Sequence, residues 1–356
     1  MNIVFRTDAS SEIGTGHVMR CLTLAQRLRK DEVVCTFVCR EHDGHYIEHI
    51  RNQHFKVLAL PKRLNKQKKG KLQHASWLVC DQQTDAKETR EAIQGINPEW
   101  LIVDHYGIDK EWEESLRDVY KKLMVIDDLA DRTHCCDLLL DQNLICDTKT
   151  PYINLVPGYC KQLFGPAYAL LRQEFITNRA FVRQVKSVSS IFVFFGGVDS
   201  TNLTELFLNS IASEELKHLT AEVVVGINNN HVDSIEKASA TNSNVTLHSG
   251  IDNIAEVMIK ADVAIGTCGS STWERMCMGL ASLTVIGGEN EQHIADELAS
   301  LDLIDVVGSA LEITMPLLKN KIMEFTTNID RIQTQQCKIL KAVDGLGVER
   351  VVEQLL

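Results

Sequence analysis

Residues 3–29 read IVFRTDASSEIGTGHVMRCLTLAQRLR, and this stretch decides the fold. Residues 3–5 form a short apolar run that is typical of a buried strand, and residues 17–29 have the apolar spacing of an amphipathic helix. The loop between them contains Gly14-Thr15-Gly16-His17. A strand, a glycine-containing loop and a helix in this order predict the first unit of a parallel α/β sheet.

The same alternation of short apolar and longer amphipathic runs continues along the chain. In the first half it predicts strands at residues 33–38, 56–60, 77–80, 100–103, 123–126 and 137–140, and helices at 85–96 and 109–120. In the second half it predicts strands at residues 191–195, 222–225, 245–247, 262–265 and 282–286, helices at 203–213, 235–240 and 253–260, and mostly helix after residue 310. Strands that alternate with helices are expected to form parallel sheets covered by helices on both faces.

The length of the chain, 356 residues, suits two domains rather than one core. Residues 171–188 lack a strand pattern and contain several basic side chains, so we interpret this segment as the connector. We therefore predict an N-terminal Rossmann-like domain over residues 1–175 and a C-terminal, nucleotide-binding Rossmann-like domain over residues 188–356. The last helix is a candidate to pack back on the first domain. The parallel sheets of two such α/β domains are expected to face a cleft in which ligands bind.

Composition restricts the class of protein. The formal net charge is −11, which argues against a nucleic-acid partner and against an acidic membrane surface. The hydrophobic share of 44% is that of a soluble globular protein, and no run approaches the length of a membrane span. Eleven cysteines are scattered without a CxxC pair, so buried reduced thiols are expected rather than disulfides or a zinc site. Because the N-terminal apolar run is also too short for a signal peptide, we expect a cytoplasmic protein.

The loop at residues 14–17 carries the first chemical signal. Gly14 and Gly16 allow a tight turn and a close approach of the backbone to a ligand. The helix behind the loop offers free amides and the positive end of its dipole. His17 is a candidate general base, because imidazole can accept a proton near neutral pH. A turn with a capping histidine is the alternative explanation of the same residues.

A second loop of this kind follows a predicted strand in the other half of the chain. Residues 266–274 read GTCGSSTWE, and small residues with hydroxyls at a helix start are suited to phosphate binding. Glu274, about one turn into the helix, is placed to accept hydrogen bonds from ribose hydroxyls. A well-capped helix with an exposed glutamate is the alternative. Gly196-Gly197, after the strand at 191–195, forms a similar loop with a weaker signal.

Polar residues follow two more predicted strands. Asp104-His105-Tyr106 follows the strand at 100–103, and Asp127-Asp128 follows the strand at 123–126. Strand ends are expected to line the cleft, but turn and capping roles explain such residues as well. Adjacent carboxylates on an extended backbone point in different directions, so Asp127 and Asp128 need not act as an acid–base pair.

No pattern in the sequence calls for a metal ion or an organic cofactor. Residues 45–49 read HYIEH rather than the HExxH of zinc proteases, so solvated histidines are the simpler interpretation. A Walker loop is absent, and the first glycine loop is not a complete GxGxxG because position 19 is Met. The basic stretch at residues 63–71 is interpreted as a solvated surface.

Several stretches resemble one enzyme family. The N-terminal run from Phe5 to Leu22, which contains IGTGHVMRC, is similar to the opening of the UDP-2,4-diacetamido-2,4,6-trideoxy-β-L-altropyranose hydrolases of the pseudaminic acid pathway. Further similar stretches, in family order, are VDHYG (103–107), IDDLA (126–130), DQN (141–143), YALLRQEF (168–175), FFGGVD (194–199) and residues 266–274. The motifs of the second half are shared more widely with glycosyltransferases of the two-Rossmann GT-B type.

The resemblance implies a GT-B-type α/β fold, no cofactor, and a UDP-sugar and water as the partners of a monomeric enzyme. It implies that His17 is the general base that activates water for attack on the anomeric carbon, with inversion and release of UDP. Tyr106 would lie near the sugar, Glu274 would hold the ribose, and amides near Gly269 would meet the diphosphate. The candidate substrate-binding residues are Gly14, Thr15, Gly16, Arg20, Tyr106, Gly197, Gly269, Ser270, Ser271, Thr272, Glu274, Asn290 and Gln292.

One stretch departs from the family pattern. Many relatives have an Asn-Gln pair after the last strand, whereas this chain reads Glu289-Asn290-Glu291-Gln292. Gln292 is expected to keep its contact with the substrate, but the interruption by Glu291 leaves the role of Asn290 open.

Three functions are compatible with these features: a UDP-sugar hydrolase, a GT-B glycosyltransferase with an acceptor other than water, and a non-catalytic sugar-nucleotide-binding module. A transferase that acts on lipid acceptors usually has an apolar and basic membrane patch, and the sequence offers only the stretch at 63–71. A binding module gives no reason for His17 to follow the glycine loop. The hydrolase is therefore the leading hypothesis.

Overall fold

The computed structural model describes residues 1–63, 71–144, 151–227, 229–251 and 253–356, and at residues 289 and 290 it describes the backbone alone. Most of the basic stretch at 63–71, together with Cys146, therefore lies outside the described residues. The chain consists of two compact units: unit 1 combines Met1–Leu170 with Gly347–Leu356, and unit 2 is Leu171–Leu346. The segment interpreted as a connector belongs to unit 2 in this division.

Unit 1 is built on a seven-stranded parallel sheet with the strand order β3-β2-β1-β4-β5-β6-β7. Its strands are β1 (Asn2–Thr7), β2 (Val34–Arg40), β3 (Lys56–Leu60), β4 (Trp100–Asp104), β5 (Lys122–Ile126), β6 (Leu138–Asp141) and β7 (Lys161–Phe164). The helices that connect them are α1 (Gly16–Arg29), α2 (Ile47–Asn52), α3 (Gln82–Ala92) and α4 (Lys110–Ser115). β1 is an interior strand, because Ile3 pairs with Cys35 of β2 on one side and with Trp100 of β4 on the other.

Unit 2 contains a six-stranded parallel sheet with the strand order β10-β9-β8-β11-β12-β13. Its strands are β8 (Ser190–Phe194), β9 (Thr220–Val225), β10 (Val245–Ser249), β11 (Val263–Thr267), β12 (Ser282–Ile286) and β13 (Asp305–Ser309). Its helices are α5 (Gln173–Arg179), α6 (Leu203–Ile211), α7 (Val232–Ala240), α8 (Ala255–Met258), α9 (Ser271–Cys277), α10 (Glu289–Ser300), α11 (Met315–Thr327) and α12 (Ile329–Ala342). The predicted α/β class with two parallel sheets is confirmed.

The last helix, α13 (Gly347–Leu355), packs on unit 1. Val348, Val351, Val352 and Leu355 join the apolar core that contains β1 and α1. The indole of Trp100 donates a hydrogen bond to the carbonyl oxygen of Leu355 (3.0 Å), so the helix is tied to β4 by a polar contact as well.

The strands of the structure differ from the predicted ones at three places. Residues 77–80 do not form a strand; a 3-10 helix, Ala75–Leu78, ends there at Val79, whose φ is +55°. A β-branched residue rarely adopts this left-handed conformation, and burial of Leu78 and Val79 holds the segment in place. The strands β7 and β13 were not predicted, because they are less apolar than the central strands of their sheets.

A buried ion network ties the N-terminal half of the unit 1 sheet together. Asp85 of α3 accepts hydrogen bonds from Arg6 of β1 (2.8 and 3.2 Å) and from Arg40 of β2 (2.6 Å). The indole nitrogen of Trp112 donates a further bond to the same carboxylate (2.9 Å). Burial opposes the ionisation of Asp85, but Arg6 and Arg40 together hold the pKa of its carboxyl below the usual range. Asp85 is therefore the counter-charge that the two buried guanidinium groups share, while Arg6 also pairs with Asp8 and Arg40 with Glu88, both at 2.7 Å.

Replacing Asp85 with Asn should destabilise unit 1 by about 3–5 kcal/mol, because it leaves Arg6 and Arg40 buried without their shared counter-charge. Urea-induced unfolding followed by tryptophan fluorescence measures the loss. Asp118→Asn is the matched control, since Asp118 pairs with Arg90 at an exposed position; it should unfold at nearly the same urea concentration as the wild type. Equal stability of the two variants would show that the buried network does not hold the sheet.

Candidate active site

The side chains of the candidate site in unit 1 meet at the carboxyl ends of β1, β4 and β5. These strands are neighbours in the sheet, so the loops that follow them lie along one edge. His17 lies in the first turn of α1, and Arg20 follows one turn later on the same face of the helix. Asp104 is the last residue of β4.

His17 is hydrogen-bonded to a buried carboxylate. Its Nδ1 lies 2.6 Å from Oδ1 of Asp104, whose side chain is fully buried. Because an ionised carboxylate only accepts hydrogen bonds, the proton of a neutral His17 belongs on Nδ1. Across the part of the chain that the structure describes, Nε2 of His17 has no hydrogen-bond partner. The ring thus offers Nε2 as a proton acceptor.

Arg20 holds Asp104 in its ionised form. Its Nε donates to Oδ2 of Asp104 and its Nη2 to Oδ1, both at 2.6 Å. Burial opposes ionisation of Asp104, but Arg20 and then His17 outweigh it and keep the pKa of this carboxyl well below its usual range. Arg20 was predicted to bind substrate; in the structure its guanidinium is engaged by Asp104 and, through Nη1, by Asp128 (3.1 Å).

The aromatic ring of Tyr106 packs against the imidazole of His17 and borders the candidate site. The centroids of the two rings are 4.6 Å apart, in an edge-to-face arrangement. The hydroxyl of Tyr106 donates a hydrogen bond to Asp128, and burial followed by the charge of Asp128 raises the pKa of Tyr106 well above its ordinary value. A second aromatic side chain, Trp77, was not recognised in the sequence, where it looked like part of a strand. Its ring stacks on Tyr106 at 5.4 Å and lies 5.8 Å from His17.

The other polar residues at these strand ends have structural roles. Asp127 accepts the amide of Ala130 (3.1 Å) in a turn and pairs with Arg132 (2.7 Å), so it points away from its neighbour Asp128. Nδ1 of His105 accepts the amide of Gly107 (3.0 Å), and its Nε2 lies 3.3 Å from Asp8. These contacts agree with the expectation that Asp127 and Asp128 need not act as an acid–base pair.

The glycine loop places the start of α1. Gly14 has a φ of +79°, which a side chain would disfavour, and its amide donates to the carbonyl of Ser10 (2.8 Å). Thr15 is the N-cap and makes no side-chain capping bond. Gly16 is the first residue of the helix, directly before His17. The loop therefore fixes the backbone from which His17 reaches Asp104.

A separate candidate binding site lies in unit 2, at the loop between β11 and α9. Among the described residues, no acceptor pairs with the amides of Gly269, Ser270 and Ser271. Unpaired amides at the end of a parallel strand suit an anionic ligand. Gly197 lies in the loop after β8 and packs closely against Gly226. A Cβ added to Gly226 would lie 2.2 Å from the carbonyl oxygen of Gly197.

Arg275 supports this loop from inside, which the sequence did not predict. Its guanidinium donates to the carbonyl of Thr267 (2.8 Å) and to the hydroxyls of Ser271 (3.0 Å) and Thr272 (3.1 Å). Burial lowers the pKa of Arg275 to about 10, although the nearby Cys268 and Glu274 oppose this shift. The two hydroxyls predicted to contact substrate are thus oriented by Arg275.

Glu274 is held by a cation of the preceding segment. Its Oε1 lies 3.4 Å from Nη2 of Arg172, and Nη1 of the same guanidinium lies 2.7 Å from Glu174. Burial raises the pKa of Glu274, against the opposing effect of Arg172. The side chain keeps one fifth of its surface exposed (20%), which leaves it accessible to a ligand.

The stretch that departs from the family pattern is arranged around Glu291. Its Oε2 accepts the amides of Gly287 (2.8 Å) and Cys268 (3.2 Å) and so connects the loops after β12 and β11. Gln292 donates to Asp296 (2.9 Å) on its own helix. The side chain of Asn290 lies outside the described residues.

Within the described ranges, no group of three or more His, Cys, Asp or Glu side chains could hold a metal ion. In the same part of the chain, none of the helices combines the length and the apolar character that crossing a bilayer requires.

Comparison with known proteins gives similar sequences and a shared fold, and no protein-family model matches the chain. A Campylobacter jejuni protein named UDP-2,4-diacetamido-2,4,6-trideoxy-beta-L-altropyranose hydrolase is 26% identical over 301 residues, which cover 84% of this chain and 96% of that protein. An uncharacterized protein of Methanocaldococcus jannaschii is 25% identical over 304 residues, or 83% of this chain. The matched region spans only 58% of the archaeal protein. The resemblance to the hydrolase that the motifs indicated is confirmed as a sequence similarity.

Solved structures agree with the architecture. Acinetobacter baumannii MurG superposes with a TM-score of 0.68 at 12% identity and covers 99% of this chain and 98% of its own. The calicheamicin glycosyltransferase CalG4 gives a TM-score of 0.61 at 11% identity, with the same coverage of both chains. The fold is that of the GT-B glycosyltransferases. At these identities the similarity concerns the fold alone.

Replacing Asp104 with Asn should reverse the tautomer of His17. Nε and Nη2 of Arg20 bind different oxygens of Asp104, so an asparagine keeps an acceptor for only one of these donors. We expect its carbonyl oxygen to stay on Nε of Arg20, which turns its amide N–H toward Nδ1 of His17. Long-range ¹H–¹⁵N correlation spectra of histidine-labelled protein distinguish the two tautomers. The wild type should show the Nδ1–H form and the Asp104→Asn variant the Nε2–H form. The same tautomer in both proteins would show that Asp104 does not orient the ring.

Proposed function

We propose that this protein hydrolyses a UDP-linked sugar by attack of water on the anomeric carbon, which releases UDP and the free sugar with inversion. The observation that carries the proposal is the pair of His17 and the buried Asp104, which leaves Nε2 of His17 as an unpaired base. The similarity to the Campylobacter jejuni hydrolase over 84% of the chain supports the same chemistry.

In this mechanism His17 activates the water. As the water oxygen bonds to the anomeric carbon, Nε2 of His17 takes a water proton, and the bond from the anomeric carbon to the UDP oxygen breaks. The imidazolium that forms is stabilised by the ionised Asp104 at 2.6 Å. Arg20 keeps that carboxylate ionised and in place, so we assign it a positioning role rather than contact with the reacting atoms.

Aromatic side chains shape the proposed sugar site. Tyr106 and Trp77 both pack against the imidazole of His17, and they provide apolar ring faces of the kind that pack against sugar rings. Together with Gly14, Thr15 and Gly16, which set the backbone of the loop, these residues form the proposed sugar site of unit 1.

Unit 2 is proposed to bind the UDP moiety. The unpaired amides of Gly269, Ser270 and Ser271 suit the diphosphate, and the accessible carboxylate of Glu274 suits the ribose hydroxyls. The hydroxyl of Thr272, the loop at Gly197, and Asn290 and Gln292 complete the set of proposed contacts. Backbone amides can stabilise the negative charge of a diphosphate by hydrogen bonds, so the proposed reaction needs neither a metal ion nor a cofactor.

The specific substrate follows from the relative alone. We propose a UDP-2,4-diacetamido-2,4,6-trideoxy sugar, and with it a place in pseudaminic acid biosynthesis, for a cytoplasmic and monomeric enzyme. A glycosyltransferase that uses an acceptor other than water is the second candidate, because solved glycosyltransferases share the fold across the whole chain.

The decisive experiment supplies the purified protein with the UDP-sugar in ¹⁸O-labelled water, without any acceptor and with EDTA. We expect UDP to be released and the label to appear on the anomeric carbon of the free sugar, where it shifts the ¹³C resonance. Label on the phosphate of the nucleotide would show attack at phosphorus instead. A strict requirement for an acceptor or a divalent metal would exclude the proposed hydrolysis and favour the transferase.

Substituting His17 with Gln should lower turnover by about 10²–10⁴-fold, because a general base contributes in this range. Isothermal titration with UDP should give nearly the wild-type affinity, since the proposed nucleotide contacts lie in unit 2. His49→Gln is a matched control, because His49 lies on α2, outside the proposed site. Wild-type turnover in the His17→Gln variant would exclude His17 as the base.

A further inference from the structure

Two thiols of unit 1 lie in contact, although 24 positions separate them in the sequence. The Sγ atoms of Cys136 and Cys160 are 3.5 Å apart, and both residues are buried. Cys136 lies just before β6 and Cys160 directly before β7, and these strands are parallel neighbours in which Leu138 pairs with Lys161. Strand pairing therefore holds the two sulfur atoms together.

The pair lies at the opposite end of the strands from the candidate active site. Both cysteines precede their strands, whereas His17 and Asp104 lie where strands β1 and β4 have ended. The proposed hydrolysis uses neither sulfur atom, so the contact between them is not explained by it.

We propose that Cys136 and Cys160 form a site of reversible oxidation, at which a peroxide or a small-molecule disulfide converts the two thiols into one intrachain disulfide. The proposal does not depend on the proposed hydrolase activity.

Cys160 is the sulfur that reacts first. The hydrogen bond from Cys136 outweighs burial and lowers the pKa of the Cys160 thiol, which favours its reactive thiolate. Cys160 also keeps 8% of its surface exposed, whereas Cys136 is fully buried. Outside this pair, burial raises the pKa of the thiols with resolved shifts, which are Cys21, Cys35, Cys39, Cys80, Cys135, Cys268 and Cys277.

With hydrogen peroxide as the oxidant, the reaction balances in two steps. The Cys160 thiolate attacks a peroxide oxygen; an S–O bond forms, the O–O bond breaks, and the departing hydroxide takes the proton that Cys160 had released. Sγ of Cys136 then attacks Sγ of Cys160; the S–S bond forms, the S–O bond breaks, and the second hydroxide takes the proton of Cys136. The two thiols lose two electrons, which the peroxide gains, and two water molecules are formed.

The cross-link should stabilise unit 1. It would close a loop between positions 136 and 160 and thereby reduce the conformational freedom of the unfolded chain. We expect the oxidised protein to melt at a temperature about 5 °C or more above that of the reduced protein.

The test treats the full-length protein with hydrogen peroxide, alkylates the remaining thiols and maps the peptides by mass spectrometry. The expected product joins the peptides of Cys136 and Cys160, has lost two hydrogens (about 2 Da) and reverts with dithiothreitol. Cys136→Ser and Cys160→Ser should abolish this product. The Cys135→Ser variant removes the thiol next to Cys136 and should still form the disulfide. This result would assign the bond to Cys136 and not to Cys135.

Three results would overturn the proposal. One is full alkylation of Cys136 and Cys160 after peroxide treatment of the folded protein. Another is conversion of Cys160 to sulfinic acid without a disulfide, and the third is a bond from Cys160 to Cys135 or Cys146. The peptide map of the wild type decides among these outcomes even if a serine variant fails to fold.

Discussion

The candidate active site depends on one buried carboxylate, that of Asp104. Its side chain has no exposed surface, and desolvation of such a group costs roughly several kcal/mol. Two charge-assisted hydrogen bonds from Arg20 and the contact with His17 offset this cost. Since α1 supplies both partners and β4 supplies Asp104, the same interaction fixes the start of the helix on the sheet and the orientation of the imidazole.

The order of the strands makes this interaction available. His17 and Asp104 are 87 positions apart in the sequence, but β1 and β4 pair directly, with Thr7 opposite Asp104. A parallel sheet brings the carboxyl ends of neighbouring strands to one edge, so a loop after β1 and a residue at the end of β4 meet there. The site is thus a consequence of topology, and the glycine loop provides the final turn that directs His17 toward the sheet.

The sequence predicts the central strands and the edge strands β3 and β10, but it misses the edge strands β7 and β13. Central strands of a parallel sheet are buried on both faces and appear as continuous apolar runs, as in β1 and β4. The edge strands β7 and β13 pair on one side only, and their polar residues interrupt the continuous apolar run that would have predicted a strand. The opposite error occurred at residues 77–80, where an apolar run that packs as a 3-10 helix has the composition of a strand.

The sequence singles out His17 and Tyr106 as candidate site residues because each follows a predicted strand, and the structure places their rings side by side. The contacts of Arg275 and Glu291 were not predictable, because both lie in helical stretches and their burial depends on how two loops fold over them. Each satisfies backbone groups of the loop after β11: Arg275 donates to the carbonyl of Thr267, and Glu291 accepts the amide of Cys268. Glu291 already accepts the amide of Cys268. The amides of Gly269, Ser270 and Ser271 are therefore the ones that can donate hydrogen bonds to an anion. The charged side chains Arg275 and Glu291 therefore determine which backbone groups of the loop after β11 remain unpaired.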